Sequence, residues 1–208
     1  MNPIPFPFED FLRAQQRLRR ALLEHHEPFV LLTGNTGTGK TALLRELRAE
    51  IDRTRYRVVY FAQARKLGAV GLIKVLDEAH ELPEETLAEA RAITESDLAG
   101  TGPIEVLLIG LPKLRAQLQA QPALWRRIGV REEITGLRLE ELNAFLAHHF
   151  PSPQRLCEQG LSALFEHAKG VPGLLLPMYR TILEGASGEH DPIDPAAVED
   201  SLQRWDLA

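Results

Sequence analysis

Apolar and polar positions along the chain follow two rhythms. In the first two thirds, short apolar blocks alternate with longer stretches of helical spacing. "PFVLL" (28–32), "YRVVYFA" (56–62), "GLIKVLDEAHEL" (71–82) and "IEVLLIG" (104–110) are brief and rich in β-branched or aromatic residues, the signature of buried strands. Between and before them run segments with a 3.6-residue period. "EDFLRAQQRLRRALLEH" carries Phe11, Leu12, Ala14, Leu18, Ala21 and Leu22 on one stripe with arginines opposite, and "TALLRELRAEI" repeats the pattern. "PEETLAEARAITES" predicts a helix opened by Pro83 with acids in its first turn, and "PKLRAQL" and "PALWRRI" predict two short ones. Strands alternating with helices imply an α/β fold, a parallel sheet flanked by helices on both faces.

After "VREEITGL" the strand rhythm stops. Helical periodicity covers 139–149, roughly 160–169, 173–186 and 195–204, the last opened by "DPAA". We therefore expect an α/β core over 1–137 and a small all-helical lid over 138–208. Pro177, inside "GLLLPMYRTIL", either kinks its helix or starts it. The second and third strands lie close together in sequence, with only Ala62 to Gly71 between them. A parallel crossover needs a dozen or more residues. The reading that follows is that a stretch of chain is missing there.

The turn between the first strand and its helix changes the picture from fold to chemistry. "LLTGNTGTGKTALL" places Gly34, Gly39, Lys40 and Thr41 in the spacing G-x-x-x-x-G-K-[ST] of a phosphate-binding loop, with the strand before it and the helix after it that the motif requires. Glycines in such a turn destabilise regular structure, so a role beyond local stability must account for them. They let successive N–H groups point at phosphate oxygens, and the next helix adds the positive end of its dipole. The residues expected to hold a nucleotide are thus Gly34, Asn35, Thr36, Gly37, Thr38, Gly39, Lys40 and Thr41. Lys40 would reach the β and γ phosphates, and the Thr41 hydroxyl would hold Mg²⁺.

Hydrolysis also requires acids at the end of a neighbouring strand, and "LIKVLDEAH" supplies Asp77 and Glu78. Asp77 would support the hydrated metal and Glu78 would polarise the attacking water. The tetrapeptide "DEAH" also occurs in helicases, but those need two RecA-like domains to form a cleft, and this chain has room for one. His80 reads as a helix-start residue rather than a catalyst. Neighbouring histidines at 25–26 and 148–149 point about 100° apart on a helix, so neither pair chelates metal by itself.

Net charge is -5, but its sign is uneven: residues 11–66 hold twelve Lys/Arg against five Asp/Glu, whereas 132–208 hold five against thirteen. A basic front half leaves room for a polyanion or subunit contact within an acidic protein. Apolar runs fall short of the roughly 18 residues of a membrane span, and the start lacks a basic secretory signal, so the expected setting is cytoplasmic, without membrane. Cys157, the single cysteine, excludes an internal disulfide and reads as a small core residue.

Taken in order, "RAQQRLRRALLEHHEPFVLLTGNTGTGKTALLREL", "VLDEAHELPEETLAEAR", "IEVLLIGLPKLRAQL", "WRRIGVREEITGL" and "KGVPGLLLPMYRTILEGA" resemble AAA+ ATPases of the ExeA, TniB and MuB type. The resemblance implies a P-loop AAA+ core with a helical lid, ATP and Mg²⁺ as cofactors, and ATP hydrolysis. For the transposition members it further implies ATP-dependent assembly on double-stranded DNA as a ring or helical filament, a homo-oligomer that directs a transposase to its target. By the same resemblance Arg127 or Arg131, in the family's "R-I-x-x-R" stretch, acts across a subunit boundary on the transferring phosphate. The ExeA branch implies the alternative of a secretion or envelope-assembly ATPase acting on proteins. Two positions depart from the family: Leu111 stands where relatives carry a polar residue in "G-[QT]-P", and Gly173 where the ExeA branch has the arginine of "G-x-P-R". These departures imply slow turnover or, in the limit, a nucleotide-gated interaction module, and the second favours the transposition branch.

Overall fold

The computed structural model describes residues 5–51, 58–61, 73–76, 79–82, 105–150, 156–186 and 193–206. They form two compact units: one of Phe11–Asn35 and Lys40–Ile134, the other of Met1–Asp10, Thr36–Gly39 and Thr135–Ala208.

The first unit is built on a sheet. Its strands are β1 (Phe29–Gly34), β2 (Val58–Phe61), β3 (Ile73–Leu76), β4 (Glu105–Gly110) and β5 (Ile128–Ile134), ordered β2-β3-β4-β1-β5. Every pairing is parallel. Helices α1 (Glu9–Leu23), α2 (Lys40–Glu50), α3 (Lys113–Gln119) and α4 (Pro122–Trp125) accompany it, with a 3₁₀ turn at Ala79–Glu81. β1 and β4 are buried at all six of their positions, so both faces of the central strands are covered, as a parallel sheet demands. On one face Phe29, Leu31, Val106 and Leu108 pack with Leu114 and Leu118 of α3, Leu124 of α4 and Ala79 and Leu82 around the 3₁₀ turn.

The second unit is helical. It contains α5 (Leu139–His149), α6 (Glu158–Ala168), α7 (Pro172–Gly185) and α8 (Pro195–Asp206), with Leu156 and Ile193 in an isolated parallel bridge. Leu164, Leu175, Ile182, Val198 and Leu202 are buried in it. Pro177 lies inside α7, whose start is Pro172; the ring removes one helical N–H, and Thr181 Oγ1 donates to the Pro177 carbonyl at 3.1 Å.

Several expectations change. β5 is a full strand beside β1, where the sequence reading placed only the tail of a short helix; α4 stops at Trp125. Charge concealed it: Arg131, Glu132 and Glu133 interrupt the apolar rhythm because β5 is an edge strand. The third strand ends at Leu76, and part of its expected length is the 3₁₀ turn. Leu12 is 38% exposed rather than part of the buried stripe, and Cys157 is exposed at the start of α6. The α1 arginines are exposed, as expected, and two of them reach a buried acid on β5: Arg17 Nη1 lies 2.7 Å and Arg13 Nε 3.5 Å from the carboxylate of Glu132, which is 3% exposed. β2 and β3 are parallel neighbours, and residues 62–72, which join them, lie outside the described residues, as does the predicted helix at 83–96.

Candidate nucleotide-binding site

β1 runs to Gly34 and α2 begins at Lys40, so the glycine-rich segment is the strand-to-helix turn at the carboxyl end of the sheet. Ligands of open parallel sheets bind at that end. Gly37 (φ 82°) and Gly39 (φ 103°) adopt the left-handed conformations that only glycine takes without strain. The first amides of α2 have no partners within the helix, and the helix dipole is positive there.

Lys40 is 9% exposed, and its ammonium donates to the carbonyls of Gly34 (2.8 Å) and Asn35 (2.9 Å). The side chain therefore folds under the loop, with its charge held at the loop's base by main-chain oxygens. Asn35, Thr36, Gly37 and Thr41 are exposed, Gly39 is half-buried, and Thr38 is buried. This donor set fits a polyphosphate: exposed main chain curled by positive-φ glycines, a fixed ammonium, and a hydroxyl at the second position of α2. Such a group, when bound, supplies the scissile phosphoanhydride.

Thr36–Gly39 is grouped with the helical unit by direct contact. Gly173 N–H, in the first turn of α7, donates to the Gly37 carbonyl at 3.0 Å. A Cβ on Gly173 would lie 2.8 Å from Gly37 Cα and 3.2 Å from its oxygen. Gly173 thus has a steric reason: helix and loop touch backbone to backbone.

Residues 11–160 match the AAA ATPase domain family. The chain belongs to this family. Solved structures agree on the P-loop AAA+ fold. Drosophila ORC bound to DNA superposes with a TM-score of 0.66 at 11% identity, over 100% of this chain and 64% of that one. NtrX from Brucella abortus in complex with ATP gives 0.63 at 16%, over 100% and 59%. Aeropyrum pernix ORC2, solved as ADPNP–ADP complexes, gives 0.64 at 14%, over 98% and 69%. The chain therefore spans about three fifths of the length of the first two. No curated protein sequence matches it.

The other predicted residues of this AAA ATPase domain fall in different settings. Asp77 and Glu78 lie outside the described residues, between the end of β3 and the 3₁₀ turn. Arg127 is exposed just after α4. Arg131 is half-buried on β5: its Nη2 donates to the Trp125 carbonyl at 2.6 Å, and its guanidinium carbon sits 4.2 Å from the Trp125 ring centre. That stacked cation is anchored within its own chain.

The sequence reading missed two features. His80 is buried and accepts a hydrogen bond at Nδ1 from the Leu111 N–H, 3.2 Å away. Glu105, at the start of β4, is 1% exposed and lies 2.8 Å from His26 Nδ1; burial raises its pKa, and the His26 hydrogen bond works in the opposite direction. An acid in an apolar strand was the available signal for the second; nothing local marks the first.

Among the described residues, no helix is long and apolar enough to cross a membrane.

Proposed function

We propose that this AAA ATPase domain is an ATP-dependent, DNA-binding regulator of DNA transposition, a cytoplasmic protein that oligomerises with ATP as a ring or helical filament and recruits or activates a transposase. The observation that carries the nucleotide half is the loop from Gly34 to Thr41, with Lys40 fixed beneath it at the carboxyl end of a parallel sheet. In this reading Asp77 and Thr41 hold Mg²⁺, Glu78 orients water, and Arg127 or Arg131 of an adjacent subunit stabilises the transferring phosphate. Arg127 is exposed, and Arg131 is stacked on Trp125 within its own chain. Residues 1–137 act as the nucleotide core and 138–208 as the lid.

The DNA half draws support from the basic balance of residues 11–66 and from a structural relative solved on DNA, ORC. Transposition rests on the ordered resemblance described above and on Gly173, the departure that sets this chain apart from the secretion branch. An oligomer that stays on DNA between cycles needs slow hydrolysis, and the apolar Leu111 supplies no side chain to orient water.

Binding of duplex DNA, measured by fluorescence anisotropy with ADP and with a non-hydrolysable ATP analogue, tests the proposal. Tighter binding with the analogue, weakening steeply with salt and indifferent to sequence, is expected, because phosphate contacts release counterions. Equal binding with either nucleotide would contradict it. A nucleotide-gated module without turnover is the second reading, favoured by Leu111, and is distinguished by DNA binding without measurable phosphate release.

A further inference from the structure

β3 and β4 are parallel neighbours, with Leu76 opposite Leu108, so the chain leaves both strands at the same edge of the sheet. Gly110, the last residue of β4, pairs with Thr33 of β1, immediately before the phosphate loop. Three strand ends thus lie side by side, and one buried side chain bridges two of them.

That side chain is His80. It is 6% exposed and belongs to the 3₁₀ turn that follows β3, two residues after Glu78. Its Nδ1 accepts the N–H of Leu111, the first amide after β4, at 3.2 Å. Its carbonyl accepts the Gln117 side-chain amide from α3 at 3.2 Å, and α3 is the helix that β4 leads into. An imidazole that accepts at Nδ1 is neutral and carries its proton on Nε2, so a single tautomer meets this geometry. The approach depends on Gly110: a Cβ there would lie 3.0 Å from Nδ1, 3.3 Å from the His80 nitrogen and 2.9 Å from Leu114 Cδ2.

We propose that His80 is a positioning residue for hydrolysis: it ties the 3₁₀ turn after β3 to the exit of β4, the strand whose end pairs with the end of β1. This rests on the ATPase reading above. Leu111 offers no polar side chain, but it keeps a backbone amide, and His80 is the group that takes up that amide. A one-ångström misplacement of groups around a reacting centre can slow it by about 10²-fold, so a brace at this edge acts on turnover rather than on phosphate binding.

Two substitutions in the intact chain separate bracing from packing. His80→Phe fills the space without an acceptor; His80→Asn offers an oxygen near the place of Nδ1. His80→Phe is expected to lower kcat by about 10- to 100-fold while nucleotide affinity stays within about twofold, the pattern of a group that acts only on the chemical step. His80→Asn is expected to recover most of the loss. Unchanged kcat in His80→Phe, or equal loss in both variants, would overturn the proposal. Imidazole ¹⁵N spectra of the unmodified protein decide it should the variants fail to fold: an unprotonated Nδ1 supports the brace and a protonated Nδ1 refutes it. If the unmodified protein hydrolyses no ATP, the ATPase reading fails and this one with it; if it does and His80→Phe matches it, only the brace fails.

Discussion

Lys40, Gly173 and the arginines near Trp125 show how differently single residues announce themselves. Lys40 was legible because its neighbours in sequence are also its partners: Gly34 and Asn35 are six and five positions away. Gly173 was legible only as a departure. Its reason, a helix start lying against Gly37, is a tertiary contact that no spacing rule encodes. Gly173→Ala would force a Cβ to 2.8 Å from Gly37 Cα. Overpacking of this kind costs about 1–3 kcal/mol, so we expect a lower Tm and, since the loop must shift, weaker nucleotide binding in a titration. The two arginines should part company. Arg131→Ala loses the stacked contact with Trp125, worth about 0.5–2 kcal/mol, and should lower Tm. Arg127→Ala should lower kcat in the assembled protein, measured by phosphate release at saturating ATP.

At the scale of elements, β1, β4 and the four helices of the second unit were readable because burial on both faces, or on one helical stripe, imposes a clear apolar period. β5 was not. As an edge strand it spends Glu132 on Arg13 and Arg17 of α1, and that ion-paired seam reads in sequence as a surface. α5 carries a further element-scale consequence. His149 packs against Phe145 at 4.8 Å and His148 at 4.9 Å; burial lowers its pKa from 6.5, and the neighbouring His148 adds to the effect. With the folded-state pKa depressed, the unfolded chain binds the proton more readily. The stability contribution is complete above pH 6.5, declines as the pH falls below that value, and is gone once the folded-state pKa is passed. His149→Gln should therefore flatten the pH dependence of denaturant unfolding in that window, and an unchanged slope would count against the account. Within the sheet, Leu108→Ala, at a position with no exposure, should cost about 2–5 kcal/mol in the same assay.

For the whole molecule, the sheet order β2-β3-β4-β1-β5 places the end of β1, which leads into the phosphate loop, next to the end of β4, with β3 on the far side of β4. Strand order cannot be read from local pattern, since it depends on which crossovers skip a neighbour. The loop's glycine pattern was therefore legible before the strand order around it. The proposed binding to DNA is where the charge balance along the chain matters. The DNA-facing reading predicts that phosphate release rises when duplex DNA is added and that the rise disappears at high salt. A rate indifferent to DNA at every salt concentration would favour the reading in which nucleotide gates protein partners instead.

Everything proposed for assembly and turnover presumes that the loop between β1 and α2 binds the triphosphate. Titration of a fluorescent ATP analogue into the protein and into Lys40→Ala tests this most directly. Lys40 contributes a buried ammonium, and removing one partner of a buried charged contact costs about 3–5 kcal/mol, so the variant should bind at least about 10²-fold more weakly. Equal affinity in the two proteins would contradict the account.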